Sequence, residues 1–182
     1  MGTFGTLNAG DGGTTNYAEV SATGDLTFVG SAGLPFAQIY EEDGSSTLEL
    51  AAQDTAYQIT AFSVNGESNN ATPDDANDHI TIVKSGMYLA TLNISFSQTT
   101  AVSIEYDFHI KKNNGATDFP ATSAHRNSGG SSAVGNASAT GIIDLTAGDT
   151  VEAWVERLDG GAVTRTITIA AISITLVQLG GT

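Results

Sequence analysis

Met87-Tyr88-Leu89-Ala90-Thr91-Leu92-Asn93-Ile94-Ser95-Phe96 alternates along its whole length, with Tyr88, Ala90, Leu92, Ile94 and Phe96 on one face and Thr91, Asn93 and Ser95 on the other. A period of two belongs to a strand, where successive side chains point to opposite sides of a sheet. Val102-Ser103-Ile104-Glu105-Tyr106-Asp107-Phe108-His109-Ile110 repeats the pattern, setting Val102, Ile104, Tyr106, Phe108 and Ile110 against Ser103, Glu105, Asp107 and His109. One apolar and one polar face per strand predict antiparallel sheet, with one side on a core and the other in water.

Working outward, the same signature recurs at 26–29, 36–40, 47–50, 57–64 and 80–83 before this pair of strands, and at 141–145, 150–156 and 163–179 after it. Gly, Asn, Asp and Ser clusters punctuate these runs at about the 8–12 residue spacing of sandwiches and barrels. Helical periodicity is nearly absent. Residues 65–78 read as a long polar loop, and residues 113–140, poor in large apolar side chains, as loops with at most one strand. Nine or ten strands without a helix predict an all-β, two-sheet antiparallel jelly-roll sandwich over residues 25–182, its last strand returning to the centre of a sheet. Residues 1–24 are rich in Gly, Thr, Ala and Asn. They read as an extended N-terminal arm that orders only against another surface, with Phe4, Leu7, Tyr17 and Val20 as its anchors.

The chain has 182 residues, which suits one domain with extended ends. Six Lys and Arg against twenty Asp and Glu give a net charge of −14, although charged residues make up only 14% of the chain. Nucleic acid and anionic lipid reward clustered cations, so neither a nucleic-acid nor a membrane partner is expected. Without cysteine there is no thiol nucleophile, thiolate zinc site or disulfide. The start, Met1-Gly2-Thr3-Phe4-Gly5, lacks the basic and apolar regions of a secretory signal, and no apolar run approaches the ~20 residues of a membrane span. Export by that route is not expected.

Few residues suggest chemistry. His79, His109 and His125 lie in separate segments without ligand spacing. Read as surface histidines they need no function; the sharper alternative is a metal or pH-sensing site where His109 shares a strand face with Asp107 and Glu105. Asp74-Asp75-Ala76-Asn77-Asp78 offers hard oxygen ligands but lacks the spacing of a calcium loop. A solvated loop is the preferred reading, so no cofactor is expected, with a structural divalent ion at Asp74, Asp75 and Asp78 as the alternative. Gly129-Gly130-Ser131-Ser132 lacks the context of a nucleophile elbow, and no phosphate-cradling loop occurs, so no catalytic residue is assigned. Trp154, the single tryptophan, reads as core packing, or as a carbohydrate platform if exposed.

Three stretches are similar to one family. Residues 80–89, Ile80-Thr81-Ile82-Val83-Lys84-Ser85-Gly86-Met87-Tyr88-Leu89, resemble the strand, Gly-x-Tyr, strand signature of the jelly roll shared by tumour necrosis factor and the complement globular head. Ile110-Lys111-Lys112-Asn113-Asn114-Gly115 resembles the Lys-Asn-Gly turn that follows, lengthened by one Asn, and Leu145-Thr146-Ala147-Gly148-Asp149-Thr150-Val151 its Leu-x-x-Gly-Asp-x-Val turn. Together they span about residues 57–179. The family's calcium and receptor residues map onto no position here. Gly24 to Leu34, followed by Phe36 and Tyr40, resembles the opening of tailed-bacteriophage virion structural proteins that carry this jelly roll.

The resemblance implies a homotrimer. It implies a non-enzymatic virion protein, assembled in the host cytoplasm, whose partners are itself and a major capsid or other virion protein. On this reading the chain decorates the capsid, attached through its arm. The alternative is the tip of a tail or head fibre that binds a host receptor or glycan through the loops 65–78 and 113–136, with Asn69, Asn70, Asp74, Asp75, Asp78 and Arg126 as candidates. A cupin-like enzyme would need converging histidines, and three dispersed ones do not supply them. Three chains at −14 repel one another unless the acids face outward, so an apolar or Thr-lined three-fold axis is expected.

Overall fold

The computed structural model describes residues 17–20, 23–29, 33–130 and 133–180. The chain divides into two units, Met1–Leu34 and Pro35–Thr182. In the first, strand β1 (Tyr17–Val20) pairs antiparallel with β2 (Leu26–Val29), Tyr17 opposite Val29 and Val20 opposite Leu26. The anchors Tyr17 and Val20 thus stand at the two ends of β1. Phe4 and Leu7 lie outside the described residues.

The second unit is a sandwich of two antiparallel sheets. The first sheet contains β3 (Phe36–Glu41), β4 (Ser46–Leu50), β6 (Val64–Asn69), β9 (Gly86–Gln98), β13 (Gly135–Leu145) and β15 (Arg165–Gly180). Its order is β13-β9-β15-β3-β6, with β4 on β15 in line with β3. The second contains β5 (Tyr57–Gln58), β7 (Ala71–Asp74), β8 (His79–Ile82), β10 (Ile104–Lys112), β11 (Thr117–Asp118), β12 (Ala124–Ser128) and β14 (Thr150–Arg157). Its order is β11-β10-β14-β8-β7, with β12 also on β10 and β5 on β14. A 3-10 turn, Pro120–Thr122, precedes β12. As expected for this jelly roll, the final strand lies inside a sheet, between β9 on one side and β3 and β4 on the other.

The core fills the space between the sheets with the residues that alternation selected. Tyr88, Leu92 and Phe96 of β9 and Ile104, Tyr106, Phe108 and Ile110 of β10 are all buried. Phe96 sits 4.7 Å from Phe108 and meets Tyr106 edge-on at 5.4 Å, separations at which aromatic pairs attract beyond their area burial. The Tyr106 hydroxyl donates to Gln98 Oε1 at 2.8 Å, and burial pushes its pKa up to about 12.

The structure departs from the sequence reading where the chain changes sheets. Residues 59–63 alternate but form no strand, because they cross over: Ile59 N donates to Ala153 O in the second sheet and Ser63 N to Tyr40 O in the first. The stretch read as a polar loop at 65–78 instead holds β6, in the first sheet, and β7, in the second, with Asn70 at φ 52° turning the corner between them. Such edge strands need no apolar alternation. β13 begins six residues before the expected 141, since its inward positions are the small Ala137, Ala139 and Gly141. There the 3-10 turn comes so close that a Cβ on Gly141 would stand 2.8 Å from Ala121 O.

Three stretches far apart in sequence meet at one end of the sandwich, and they are the ones that carry the family resemblance. Asp149 accepts from Lys112 Nζ at 2.7 Å, Asn113 Nδ2 at 2.8 Å and Thr146 N at 2.9 Å. Ala147 N donates to Ser85 Oγ, and Gly148 N to Ile82 O. The Tyr88 hydroxyl reaches back to Lys84 O at 2.6 Å. At Gly86, φ 155°, a Cβ would lie 2.3 Å from Gly180 O, so close backbone approach, rather than a tight bend, requires the glycine. The signature is thus a tertiary knot that closes the β8–β9 and β13–β14 turns on each other.

Candidate assembly face

The outer face of the first sheet is laid out by register. Ile142, Leu89, Val177 and Phe36 form one rung across β13, β9, β15 and β3. The next rungs are Thr140, Thr91, Thr175 and Gln38, then Ser138, Asn93, Ser173 and Tyr40, then Asn136, Ser95 and Ala171. One rung is apolar, the rest are hydroxyls and amides apart from Ala171, and none of these positions carries a charge. In a chain of net charge −14 that is the exceptional surface. Asp144, opposite Met87, lies just beyond the apolar rung, and Glu41 follows Tyr40 at the other end.

The polar rungs are tied to themselves. Thr91 Oγ1 and Thr140 Oγ1 are 3.2 Å apart, Ser138 Oγ donates to Asn93 Oδ1 at 2.7 Å, Ser95 Oγ to Asn136 Oδ1 at 3.4 Å, and Gln38 Nε2 to Thr175 Oγ1 at 3.4 Å. Covering a polar group is expensive when it loses its hydrogen bonds to water without replacement. These side chains already hold one partner each, which lowers the cost of covering them. A groove of about 350 Å³ opens at the polar end, lined by Tyr40, Glu42, Asn93, Asn136, Ser138 and Ser173 among others.

A bulge explains why this face was only partly visible in the sequence. The alternation of β15 places Ile167 and Ile169 inward, then shifts register between Ile169 and Ala171, after which Ile172, Ile174 and Leu176 point inward. Strict period-two reading from Val163 loses the outward set Ser173, Thr175 and Val177. The signal that would have found the face is the run of uncharged polar residues at alternate positions of β9 and β13.

Of the residues singled out in the sequence, Asp74, Asp75 and Asp78 do share one turn, but each is engaged by protein donors. Asp74 accepts from Asn77 Nδ2, Asp75 Oδ1 from Asn65 Nδ2, and Asp78 Oδ1 from the Phe62 amide at 3.0 Å. The Asn77 side chain holds the Asp74 carboxyl below its usual range, whereas burial pushes Asp78 up. Among the described residues no group of three or more His, Asp or Glu is placed to hold a metal ion. Asn69 ends β6 and Asn70 follows at the corner. Arg126 lies on β12, opposite Tyr106 and at the other edge of the second sheet from β7. The two groups of loop candidates therefore do not converge. Trp154 is half-buried on the outer face of the second sheet rather than in the core, its ring under Gly115 and Lys111 Nζ 6.0 Å from its centroid.

No protein-family model matches the sequence, and no curated protein does. Solved structures do resemble it. An Eiger TNF from S. frugiperda superposes with a TM-score of 0.52 at 15% identity, over 81% of this chain and 95% of that one. The globular domain of zebrafish complement 1qA gives 0.50 at 13%, over 82% and 100%, and murine APRIL at pH 5.0 gives 0.50 at 10%, over 81% and 100%. The fold is the TNF-like jelly roll. At these identities the likeness establishes architecture alone, so the role of a TNF-like domain in this chain has to be argued from its own surfaces.

Proposed function

We propose that the protein is a non-enzymatic virion structural component, a homotrimer that decorates a capsid, in which the uncharged face of the first sheet is the subunit interface and the first 24 residues form the attachment. The observation that carries this reading is the middle of the face itself: an apolar rung followed by hydroxyl and amide rungs, several of them bonded to one another, with no charge on them in an acidic chain. It matches the axis a TNF-like trimer of such chains would need, because three acidic copies must meet through a neutral surface. The face measures roughly 20 Å by 20 Å from strand spacing and rise. The N-terminal unit supports attachment, since a two-stranded ribbon gains independent stability only by packing on something else.

Two measurements test the proposal. Light scattering on the full chain and on residues 35–182 is expected to give a trimer in both. Co-sedimentation with capsids stripped of decoration is expected to retain the full chain and lose the shortened one. A monomeric 35–182 unit would remove the assembly face from the argument, and capsid binding without residues 1–34 would remove the arm. The groove favours a second reading, a glycan-binding tip: Tyr40 offers a ring, and the amides and hydroxyls around it suit a neutral sugar. Binding of an oligosaccharide that Tyr40→Ala abolishes would favour that reading over decoration.

A further inference from the structure

The two lateral edges of the sandwich differ in charge. No Lys or Arg precedes Lys84 in the chain, so the flank made by β3, β4 and β6 holds acids without a cation of its own. Glu41 and Glu42, at the end of β3, line the groove on the first sheet, and Glu67 of β6 lines a polar hollow beside it with Gln38, Tyr40 and Ser68. Glu42 is exposed and Glu41 half-buried. Among the described residues neither carboxylate has a hydrogen bond or an ion pair.

The opposite edge carries Arg126. On β12 it stands opposite the buried Tyr106, so it shares the inward side of the second sheet and turns across the open edge toward β13. There it passes over Gly135, the first residue of β13, where a Cβ would stand 3.1 Å from Arg126 Nε. The other cations are engaged within the chain: Arg157 and Arg165 share Asp159, Lys112 holds Asp149, Lys111 lies over Trp154, and Lys84 also has a partner. Arg126 is exposed, and among the described residues its guanidinium meets no acceptor. Glu42 of the same chain cannot serve, because β9 and β15 separate β3 from β13, three strand spacings or about 14 Å.

We propose that Arg126 is an intersubunit residue that seats against Glu41 and Glu42 of a neighbouring copy and sets the order in which copies close into a ring, a pairing that rests on the trimer proposed above. A ring of three joins unlike surfaces, so with the first sheet toward the axis one lateral edge of each subunit meets the opposite flank of the next. The edge with Arg126 thus meets the flank with Glu41 and Glu42, three times round. The two lie at a similar level along the strands: Gly135 pairs with Phe96, Phe96 with Ile169, and Glu41 with Ile172, all at the polar end of the face. A two-fold pairing through either edge would instead oppose Arg126 to Arg126 or acid to acid, and like charges set against each other disfavour it.

The test follows the mass of the full chain by light scattering on dilution, at low and at high salt. Charges at the rim of an interface are screened beyond about 8 Å at physiological ionic strength. The wild-type trimer is therefore expected to dissociate at higher protein concentration in high salt. Arg126→Glu should raise the low-salt dissociation midpoint by about ten-fold or more, with an unchanged circular dichroism spectrum, since no partner in its own chain is lost. Glu42→Arg should act in the same direction. Combining the two exchanges the charges and should bring the midpoint back toward wild type, which a merely damaged edge would not do. A wild-type trimer indifferent to Arg126→Glu, or a double variant no better than Arg126→Glu, would overturn the pairing alone. A wild-type chain that is monomeric throughout would remove the trimer together with it.

Discussion

Leu89→Glu is the substitution that most directly tests the assembly face. Leu89 lies in the apolar rung between Ile142 and Val177, and its side chain leaves the protein, so the strand and the core behind it are untouched. The four residues of the rung are 56%, 36%, 37% and 40% exposed for Ile142, Leu89, Val177 and Phe36. Between them they leave the equivalent of one to two whole side chains in water, which at about 2 kcal/mol per fully buried side chain amounts to ~3 kcal/mol per subunit and ~10 kcal/mol for three. A glutamate at position 89 removes part of that gain and adds a carboxylate with no cation on the face. Burying an unpaired charge costs several kcal/mol, and three-fold symmetry repeats it three times in an assembly that already carries three times −14, or −42. Light scattering at micromolar concentration should therefore find a folded monomer, with an unchanged circular dichroism spectrum. Thr72→Glu, exposed on β7 of the other sheet, should leave the mass at that of the wild type. A Leu89→Glu protein that keeps the wild-type trimer mass would refute the reasoning.

Other substitutions probe what holds the sandwich. Arg157, wholly buried, donates to Leu50 O, Ala51 O, Gly161 O and Asp159, and Arg165 Nε also donates to Asp159, at 3.1 Å. Arg157→Leu leaves those carbonyls without their donor and Asp159 with Arg165 alone, so a loss of about 1–3 kcal/mol is expected in denaturant titration, with Lys, which cannot fork, a poor rescue. Gly86→Ala drives a Cβ into Gly180 O, and a loss of more than about 1 kcal/mol in thermal unfolding is expected. Lys112→Met tests the knot around Asp149. Burial pushes that carboxyl up, but Lys112, Asn113 and Thr146 N outweigh it and hold it below its usual range. A depressed carboxyl stabilises above its unfolded pKa, and the contribution fades as pH falls through the folded one. Lys112→Met should therefore be less stable than wild type at neutral pH, and the gap should narrow below about pH 4.

The fold was legible because long strands announce themselves. β9 buries every second side chain, and the apolar positions of β10 all point into the core, so the core follows from the alternation of the apolar residues alone. What stayed hidden has a common physical cause, in that local pattern carries no record of what lies on the far side of a strand. Asp107 and His109 occupy polar positions of β10 and read as wet, but a distant excursion covers them. Ala137 and Ala139 of β13 are inward, but too small to look it. The outward positions of β15 change parity at a bulge that no residue type marks. The anchors Phe4 and Leu7 lie outside the described residues, and Tyr17 and Val20 fall at the ends of a paired strand.

The two outer faces, taken together, assign different work to the same architecture. The four strands β13, β9, β15 and β3 turn neutral side chains outward over the middle of the first sheet, several of them hydrogen-bonded to one another, which lowers the cost of covering them and leaves the acids Asp144, Glu49 and Glu67 at its margins. The second sheet gathers carboxylates, imidazoles and a lysine, whose cost of covering depends on pH. An acidic protein that must pack against copies of itself needs the first kind of surface toward the axis and can carry the second kind only on the outside. On the proposed assembly this sets the orientation of the subunit: with the first sheet toward the axis, the carboxylates and imidazoles of the second sheet face solvent, where their charge repels neighbouring assemblies.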